Sequence, residues 1–325
     1  MEISLILDDY LNYMETIKGS SSNTVKEYYF DLRTFFRFIK VRYKLVDSSI
    51  EFKEIPITDI SLDLIKKITI QDLHAYISYA DKKLNNGNFA KSRKVASIRS
   101  FFHYLCTIIN VIDKNPADSL EFPKRDLRHP VYLTLEESEN LLDIVLDNKN
   151  EEYKKRDYSI IMLFLNCGLR LSELSSINID SIKDRDTLTV IGKGNKERTV
   201  FLNQATYEAI EDYLTVRPID CKDKKALFIS KRKQRLGNRG IQYMIDKYLE
   251  KSGLSTDIYS THKLRHTAAT LMYKYGNVDI RALQEILGHE SVATTQIYTH
   301  IDNKRLREAI DSNPLANRKN KEAED

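Results

Sequence analysis

Apolar residues recur at helical spacing from the start of the chain. Leu7, Tyr10, Leu11, Met14 and Ile17 fall on one helix face, and after Gly19-Ser-Ser-Ser the period resumes with Val25, Tyr28, Leu32, Phe35, Phe36 and Ile39. Thr24-Val-Lys-Glu27 carries the hydroxyl and carboxylate of a capping box, so the second helix is expected to open there. A further helix is read from Ile70 to Ala80. Another spans roughly Ala90 to Ile109, with Val95, Ile98, Phe101, Phe102 and Leu105 inward and Lys91, Arg93, Lys94 and Arg99 turned elsewhere. The pattern predicts a small helical bundle with one basic helix.

The periodicity then breaks. Asp113-Lys-Asn-Pro116 through His129-Pro130 holds three prolines and few core residues, as a linker between domains does. The expected division is an N-terminal helical domain over 1–115, a linker over 116–130 and a second domain over 131–325. Thr134-Leu-Glu-Glu137 is another capping box and opens the next helix. Helices dominate from there, except that residues 187–202 set two β-branched runs on either side of a Gly-Lys-Gly-Asn turn, a hairpin with Lys193 at its tip. The predicted fold is mainly α with a small β-hairpin or sheet, in two domains. The end of the chain, Asn317 to Asp325, is polar apart from one Ala and is expected to fray, and no internal repeat is evident.

Composition narrows the class. With 42% hydrophobic and 30% charged residues the chain reads as globular, and no run reaches the roughly 18 apolar residues of a membrane helix. Met1-Glu-Ile-Ser-Leu lacks the basic and then apolar regions of a secretion signal, so a cytoplasmic protein is expected. Cys106, Cys167 and Cys221 are far apart with no C-x-x-C spacing, which points to neither a disulfide framework nor a zinc site. The net charge is only +4, yet residues 226–275 hold ten Lys or Arg against three Asp or Glu, and residues 81–130 ten against five. Two basic regions suit a protein that grips a phosphate backbone from two sides; solvated helix faces explain the same charges equally well.

Several side chains are candidates for chemistry. In Asn166-Cys-Gly-Leu-Arg170-Leu-Ser-Glu173 a guanidinium stands at a helix start, suited to clamping phosphate oxygens, although the spacing taken alone favours a surface Arg170–Glu173 pair. Lys193 on its glycine-flanked turn can reach a phosphodiester and give a proton to a leaving oxygen, but most hairpin lysines are merely solvated. His262 and Arg265, three apart, share a helical face, and the small residues Ala268 and Ala269 after them mean close packing, so burying the pair would call for a charged ligand. Tyr298, one of 19 tyrosines, sits among polar residues in Thr294-Thr-Gln-Ile-Tyr298-Thr-His300. His262, His266, His289 and His300 lack Cys partners and an H-E-x-x-H pattern, which argues against a metal site.

Taken together, Gly168-Leu-Arg170-Leu-Ser-Glu173, Gly192-Lys193-Gly-Asn-Lys-Glu-Arg198, His262-Lys-Leu-Arg265-His, Leu287-Gly-His289 and Ile297-Tyr298-Thr-His resemble the tyrosine recombinase/integrase family, most of all its Xer branch. The N-terminal bundle resembles that family's core-binding domain, from Thr24-Val-Lys-Glu-Tyr28 to Lys91-Ser-Arg-Lys94 and Ile98-Arg99, with Lys91, Arg93, Lys94, Arg99 and Arg239 as the DNA-binding candidates. The resemblance implies Arg170, Lys193, His262, Arg265 and His289 around a scissile phosphate and Tyr298 as nucleophile. It implies a 3′-phosphotyrosine intermediate, neither ATP nor metal, double-stranded DNA with a specific site as partner, and a homotetramer or a heterotetramer with a related recombinase. Residues Asn303 to Ile310 read as a short amphipathic helix fit either to dock on a neighbour or to pack internally. The segment from Tyr43 to Ile68 is longer than a minimal Xer protein needs, and an extra arm-binding domain before the bundle is not expected. Chromosome dimer resolution and mobile-element integration both fit, and the rival classes are a type IB topoisomerase and a non-catalytic DNA-binding protein.

Overall fold

The computed structural model describes residues 3–124, 130–183, 185–192, 196–276, 278–288 and 295. The chain divides into two compact units, Met1–Leu127 and Arg128–Asp325, and each has its own core.

The first unit is helical: α1 (Leu5–Thr16), α2 (Ser22–Arg42), α3 (Leu62–Lys67), α4 (Ile70–Lys82) and α5 (Asn88–His103). Its core is aromatic. Tyr10, Phe35, Phe36, Tyr76, Phe101 and Phe102 are fully buried, and Phe36 meets Phe101 edge-on with ring centroids 5.6 Å apart. Helix α2 opens earlier than Thr24-Val-Lys-Glu27 predicts. Ser21, the residue just before the helix, accepts the Thr24 N–H at 3.3 Å, so a hydroxyl three residues upstream takes the capping role and Thr24 joins the first turn. The α5 pattern does reach Ile109, but its last stretch, Tyr104–Ile108, is a single π turn.

The segment after α2 is folded onto the bundle. Ile55, Ile57 and Ile60 are buried, and the Lys40 ammonium donates to the Pro56 carbonyl at 3.0 Å and to Asp59 at 2.8 Å. Ala117 and Leu120, placed in the linker by their neighbouring prolines, belong to the first core, at 0% and 1% exposure. A proline-rich stretch therefore begins inside the first unit, because two apolar residues between the prolines, Ala117 and Leu120, find a place in the bundle.

The second unit comprises α6 (Leu135–Leu146), α7 (Glu151–Cys167), α8 (Leu171–Ser176), a three-stranded antiparallel sheet β1 (Ile182–Lys183), β2 (Thr187–Ile191) and β3 (Glu197–Phe201), then α9 (Gln204–Val216), α10 (Asn238–Lys251), α11 (Thr261–Tyr275) and α12 (Ile280–Leu287). Thr134 and Glu137 make the reciprocal bonds of the expected capping box, at 3.1 and 2.8 Å. Helix α7 is the central element: Ile160 to Leu165 are all buried, and it packs on α6, α9 and α11. The predicted hairpin is β2–β3, in register Leu188 with Val200 and Val190 with Arg198. Strand alternation puts Leu188, Val190 and Val200 inward, and Arg198 shares the face of Val200.

Candidate active site

The site begins where α7 ends. Gly168 closes the helix in the left-handed conformation at φ +59°, and a Cβ there would stand 2.8 Å from Leu287 Cδ2 and 3.5 Å from Ala268 Cβ. Only glycine lets α7, α11 and α12 converge at this point. Two residues later Arg170 precedes α8, and its N–H donates to Glu173 Oε2 at 2.8 Å while its Nη1 donates to Oε1 at 2.7 Å.

The Arg170–Glu173 pair therefore exists, but the expectation that it lies on the surface is corrected: Glu173 is 0% exposed. The carboxylate is wrapped by cations. Arg198 Nη2 donates to Oε2 at 3.0 Å and its Nε to Oε1 at 3.4 Å, and Arg265 Nη1 stands 3.9 Å from Oε2. Burial alone would raise the Glu173 pKa; the hydrogen bonds from Arg198 and Arg170 outweigh it and hold the group below its ordinary value. It is a fixed anion at neutral pH.

The same three arginines share a second acceptor set. Arg198 Nη1 donates to the Ile286 carbonyl at 2.7 Å, Arg265 Nη2 to that of Leu287 at 2.6 Å, and Arg170 Nη2 to that of Gly288 at 2.7 Å. These are the last carbonyls of α12, which lack intrahelical partners and carry the negative end of the helix dipole. Arg265 also donates to the Gly168 carbonyl at 2.6 Å. Arg265 was expected to need an external charged ligand to be buried; at 3% exposure it is held by Glu173 and backbone carbonyls instead.

Arg170, Ser172, Asn238, Thr261, His262 and Arg265 line a cleft of about 380 Å³. Arg170 faces it with a side chain 35% exposed. His262 remains open to solvent, with its ring edge-on to His266 at 4.5 Å. Desolvation by the surrounding protein, reinforced by Arg265, Lys263 and Arg170, lowers its pKa, so the imidazole is neutral at pH 7 and able to accept a proton. Two guanidinium groups beside a neutral imidazole can neutralise a phosphodiester and take a proton from a nucleophile. Among the described residues no three His, Cys, Asp or Glu side chains gather as a metal site would require.

The structure thus brings Arg170, His262 and Arg265 together. Lys193, His289 and Tyr298, with the 303–310 and 317–325 segments, lie outside the described residues. Glu173 and Arg198 were quoted in the sequence motifs without a role; the period-two alternation of β3, which turns Arg198 inward with Val200, was the signal that could have found the latter.

Of the basic candidates, Arg239 is exposed on the first turn of α10 and lines a cleft with Lys231, Arg232 and Lys247. On α5, Lys94 is corrected: it points inward, 7% exposed, with its ammonium 2.7 Å from the buried Asp31. A basic run predicts an outward lysine, but the buried Asp31 carboxylate draws this one into the bundle. Arg93 pairs with Glu27 and Asp31, Lys91 pairs with Asp81 at 2.5 Å, and Arg99 donates to the Leu120 carbonyl at 3.0 Å.

A sequence model of the phage integrase family matches residues 131–305, which contain this whole cluster. The chain belongs to the phage integrase family. Within it the chain is a tyrosine-type site-specific recombinase of the Xer branch. It is 55% identical over 312 residues to the tyrosine recombinase XerC of Caldanaerobacter subterraneus subsp. tengcongensis, covering 96% of this chain and 87% of that protein. It is 33% identical over 300 residues to XerC of Leptospira interrogans serovar copenhageni, covering 92% and 89%. The fold matches the XerH site-specific recombinase bound to palindromic difH substrate in a post-cleavage complex, with TM-score 0.67, 21% identity and coverage of 96% and 97%. It also matches the Tn1549 transposon integrase in complex with transposon right end DNA, at TM-score 0.68, 19% identity and coverage of 94% and 98%.

Proposed function

We propose that this recombinase resolves chromosome dimers, cutting and rejoining double-stranded DNA at a specific site through a covalent link to Tyr298. The observation that carries the reading is the single cleft holding Arg170, Arg265 and His262, with both arginines anchored on Glu173. A phosphodiester is already anionic, so attack on it requires positive charge beside the non-bridging oxygens as the pentacoordinate state forms. Arg170 and Arg265 supply that charge from forks whose direction Glu173 and the α12 carbonyls fix in advance. The neutral His262 takes the proton of Tyr298, because an ordinary tyrosine hydroxyl, with a pKa near 10, is a weak nucleophile at neutral pH. Lys193 gives a proton to the departing 5′ oxygen, and His289 hydrogen-bonds the phosphate. The 3′-phosphotyrosine keeps the energy of the broken bond, so a 5′-hydroxyl from the same or a partner duplex can reverse the attack without ATP.

The basic residues extend the grip on DNA: Arg239 and its neighbours on the catalytic unit, Lys91, Arg93 and Arg99 on the helical unit, with four protomers, alike or of two related kinds, assembled on two sites. The recombinase works in the cytoplasm, where the chromosome lies. The test is to incubate the protein with sheared DNA from its source cell, quench with detergent and sequence the DNA covalently attached. Adducts at one palindrome-like chromosomal site, absent with Tyr298→Phe, are expected. Adducts confined to the ends of a mobile element would replace dimer resolution by integration, and no Tyr298-dependent adduct would leave a DNA-binding protein without strand cleavage.

A further inference from the structure

We propose that Arg198 is a positioning residue of the strand-cleavage reaction, holding the Glu173 carboxylate and the C-terminal end of α12 at once and thereby setting the Arg170 and Arg265 forks for the phosphate. The inference rests on the reading of those two arginines as the phosphate clamp.

Each donor group of Arg198 has a job. Nε and Nη2 reach the two oxygens of Glu173 at 3.4 and 3.0 Å, and Nη1 reaches the Ile286 carbonyl at 2.7 Å. A planar fork can serve two acceptors in different directions from one rigid group; a lysine ammonium at the end of a flexible stem cannot hold both in fixed geometry. The stem is fixed as well. Arg198 lies opposite Val190 in the sheet register, so β3 aims it into the unit.

The approach of α12 is built around this side chain. Gly288 ends that helix at φ +63°, and a Cβ on it would stand 2.9 Å from Arg198 Cδ and 3.1 Å from Nε. A bare backbone is required where the arginine passes. Arg198 is itself absent from the lining of the cleft formed by Arg170, His262 and Arg265, and its side chain is 17% exposed against 35% for Arg170. It acts through other groups rather than on the substrate.

The connection it makes joins three parts of the chain: β3, which follows Lys193 in sequence; the start of α8, which carries Arg170; and the end of α12, which precedes His289 and Tyr298 in sequence. Without Arg198, Glu173 would have Arg170 as its principal partner, and the end of α12, whose Gly288 carbonyl is the second anchor of the Arg170 fork, would lose its bond at Ile286. The two guanidinium groups that line the cleft would remain, but their direction would be less fixed.

The experiment compares wild type, Arg198→Lys, Arg198→Met, Glu173→Gln and the Glu173→Gln/Arg198→Met double variant. It measures thermal unfolding, duplex binding and the rate of detergent-stable adduct formation on sheared source DNA across pH. Arg198→Lys is expected to fold and to bind duplex within about twofold of wild type, while forming adduct roughly tenfold to a hundredfold more slowly, the scale of a misplaced catalytic group. In Arg198→Met the burial of Glu173 is less opposed, so carboxyl NMR titration is expected to find Glu173 protonating at higher pH than in wild type, while the acid limb of the rate profile, set by protonation of His262, stays in place. The double variant is expected to lose less than the product of the single losses, because both changes remove the same anchor. Should Arg198→Met not fold, Arg198→Lys carries the test alone. Wild-type rates in the Arg198 variants, an unmoved Glu173 titration in Arg198→Met, or losses that multiply in the double variant, overturn the proposal. Absence of adduct in wild type overturns the recombinase reading and this inference with it, whereas wild-type adduct with undiminished Arg198→Lys adduct overturns this inference only.

Discussion

Asp31 in the helical unit and Glu173 in the catalytic unit are both buried carboxylates facing more than one cation, yet their pKa values move in opposite directions. Asp31 is 1% exposed, with Lys94 at 2.7 Å and Arg93 at 3.2 Å on one oxygen, while its Oδ2 has no hydrogen-bond donor among the described residues. Burial wins there, and the pKa rises despite Lys94. Glu173 has donors on both oxygens, from Arg198, Arg170 and the Arg170 N–H, and its pKa falls. Nearby positive charge is common to both sites. What differs is how many lone pairs receive a directed donor. The first arrangement ties a bundle together; the second produces a permanent anion able to orient arginines.

The comparison breaks most visibly in catalysis. Arg170→Ala or Arg265→Ala should slow adduct formation by about a hundredfold to a thousandfold, as loss of a transition-state donor does, whereas Asp31→Asn should leave the rate within about twofold of wild type. Single-turnover adduct assays on the three variants check this, and a comparable loss in Asp31→Asn would erase the distinction.

Stability gives the next largest effect. Glu173→Gln leaves Arg198 and Arg265 buried without their anion and should cost about 3–5 kcal/mol in urea unfolding. Asp31→Asn should cost less, because its ionised form is poorly accommodated already. Gly168→Ala should cost about 1–3 kcal/mol, from the left-handed backbone and the 2.8 Å approach of Leu287.

The smallest effect is the most specific. The ordinary values of 4.5 for Glu and 3.8 for Asp would protonate Glu173 before Asp31 as pH falls, but the shifts favour the reverse order. Carboxyl NMR titration should find Asp31 protonating above 3.8 and Glu173 below 4.5. The linkage follows these signs. Glu173, depressed on folding, contributes stability that is complete above 4.5 and lost as pH falls through its folded pKa. Asp31, raised on folding, does the opposite: stability declines as pH rises from 3.8 through its folded value.

The helices and the reactive motifs were legible in the sequence because both are written in short-range spacing. Phe35, Phe36, Phe101 and Phe102 announce their burial by period, and Thr134 with Glu137 announces a helix start. The ion pairs were not legible in this way. Lys94 finds Asp31 across 63 residues, and Glu173 meets Arg198 across 25, so local spacing offered only an outward lysine and an i,i+3 surface pair. Ser21 displaced Thr24 as cap because several adjacent hydroxyls satisfy the same pattern, and backbone geometry alone decides among them. Ala117 and Leu120, in the expected linker, are too few to form a period, yet both are buried in the first core.

If the arginine cluster serves attack by Tyr298, one tyrosine among 19, the covalent link to DNA forms on that side chain. Trapping the covalent adduct, digesting protein and DNA, and sequencing the nucleotide-bearing peptide by mass spectrometry tests it most directly. The expected result is a phosphodiester-linked nucleotide on Tyr298 that disappears in Tyr298→Phe; a nucleotide on any other residue, or an adduct that persists in Tyr298→Phe, would overturn the assignment of the nucleophile.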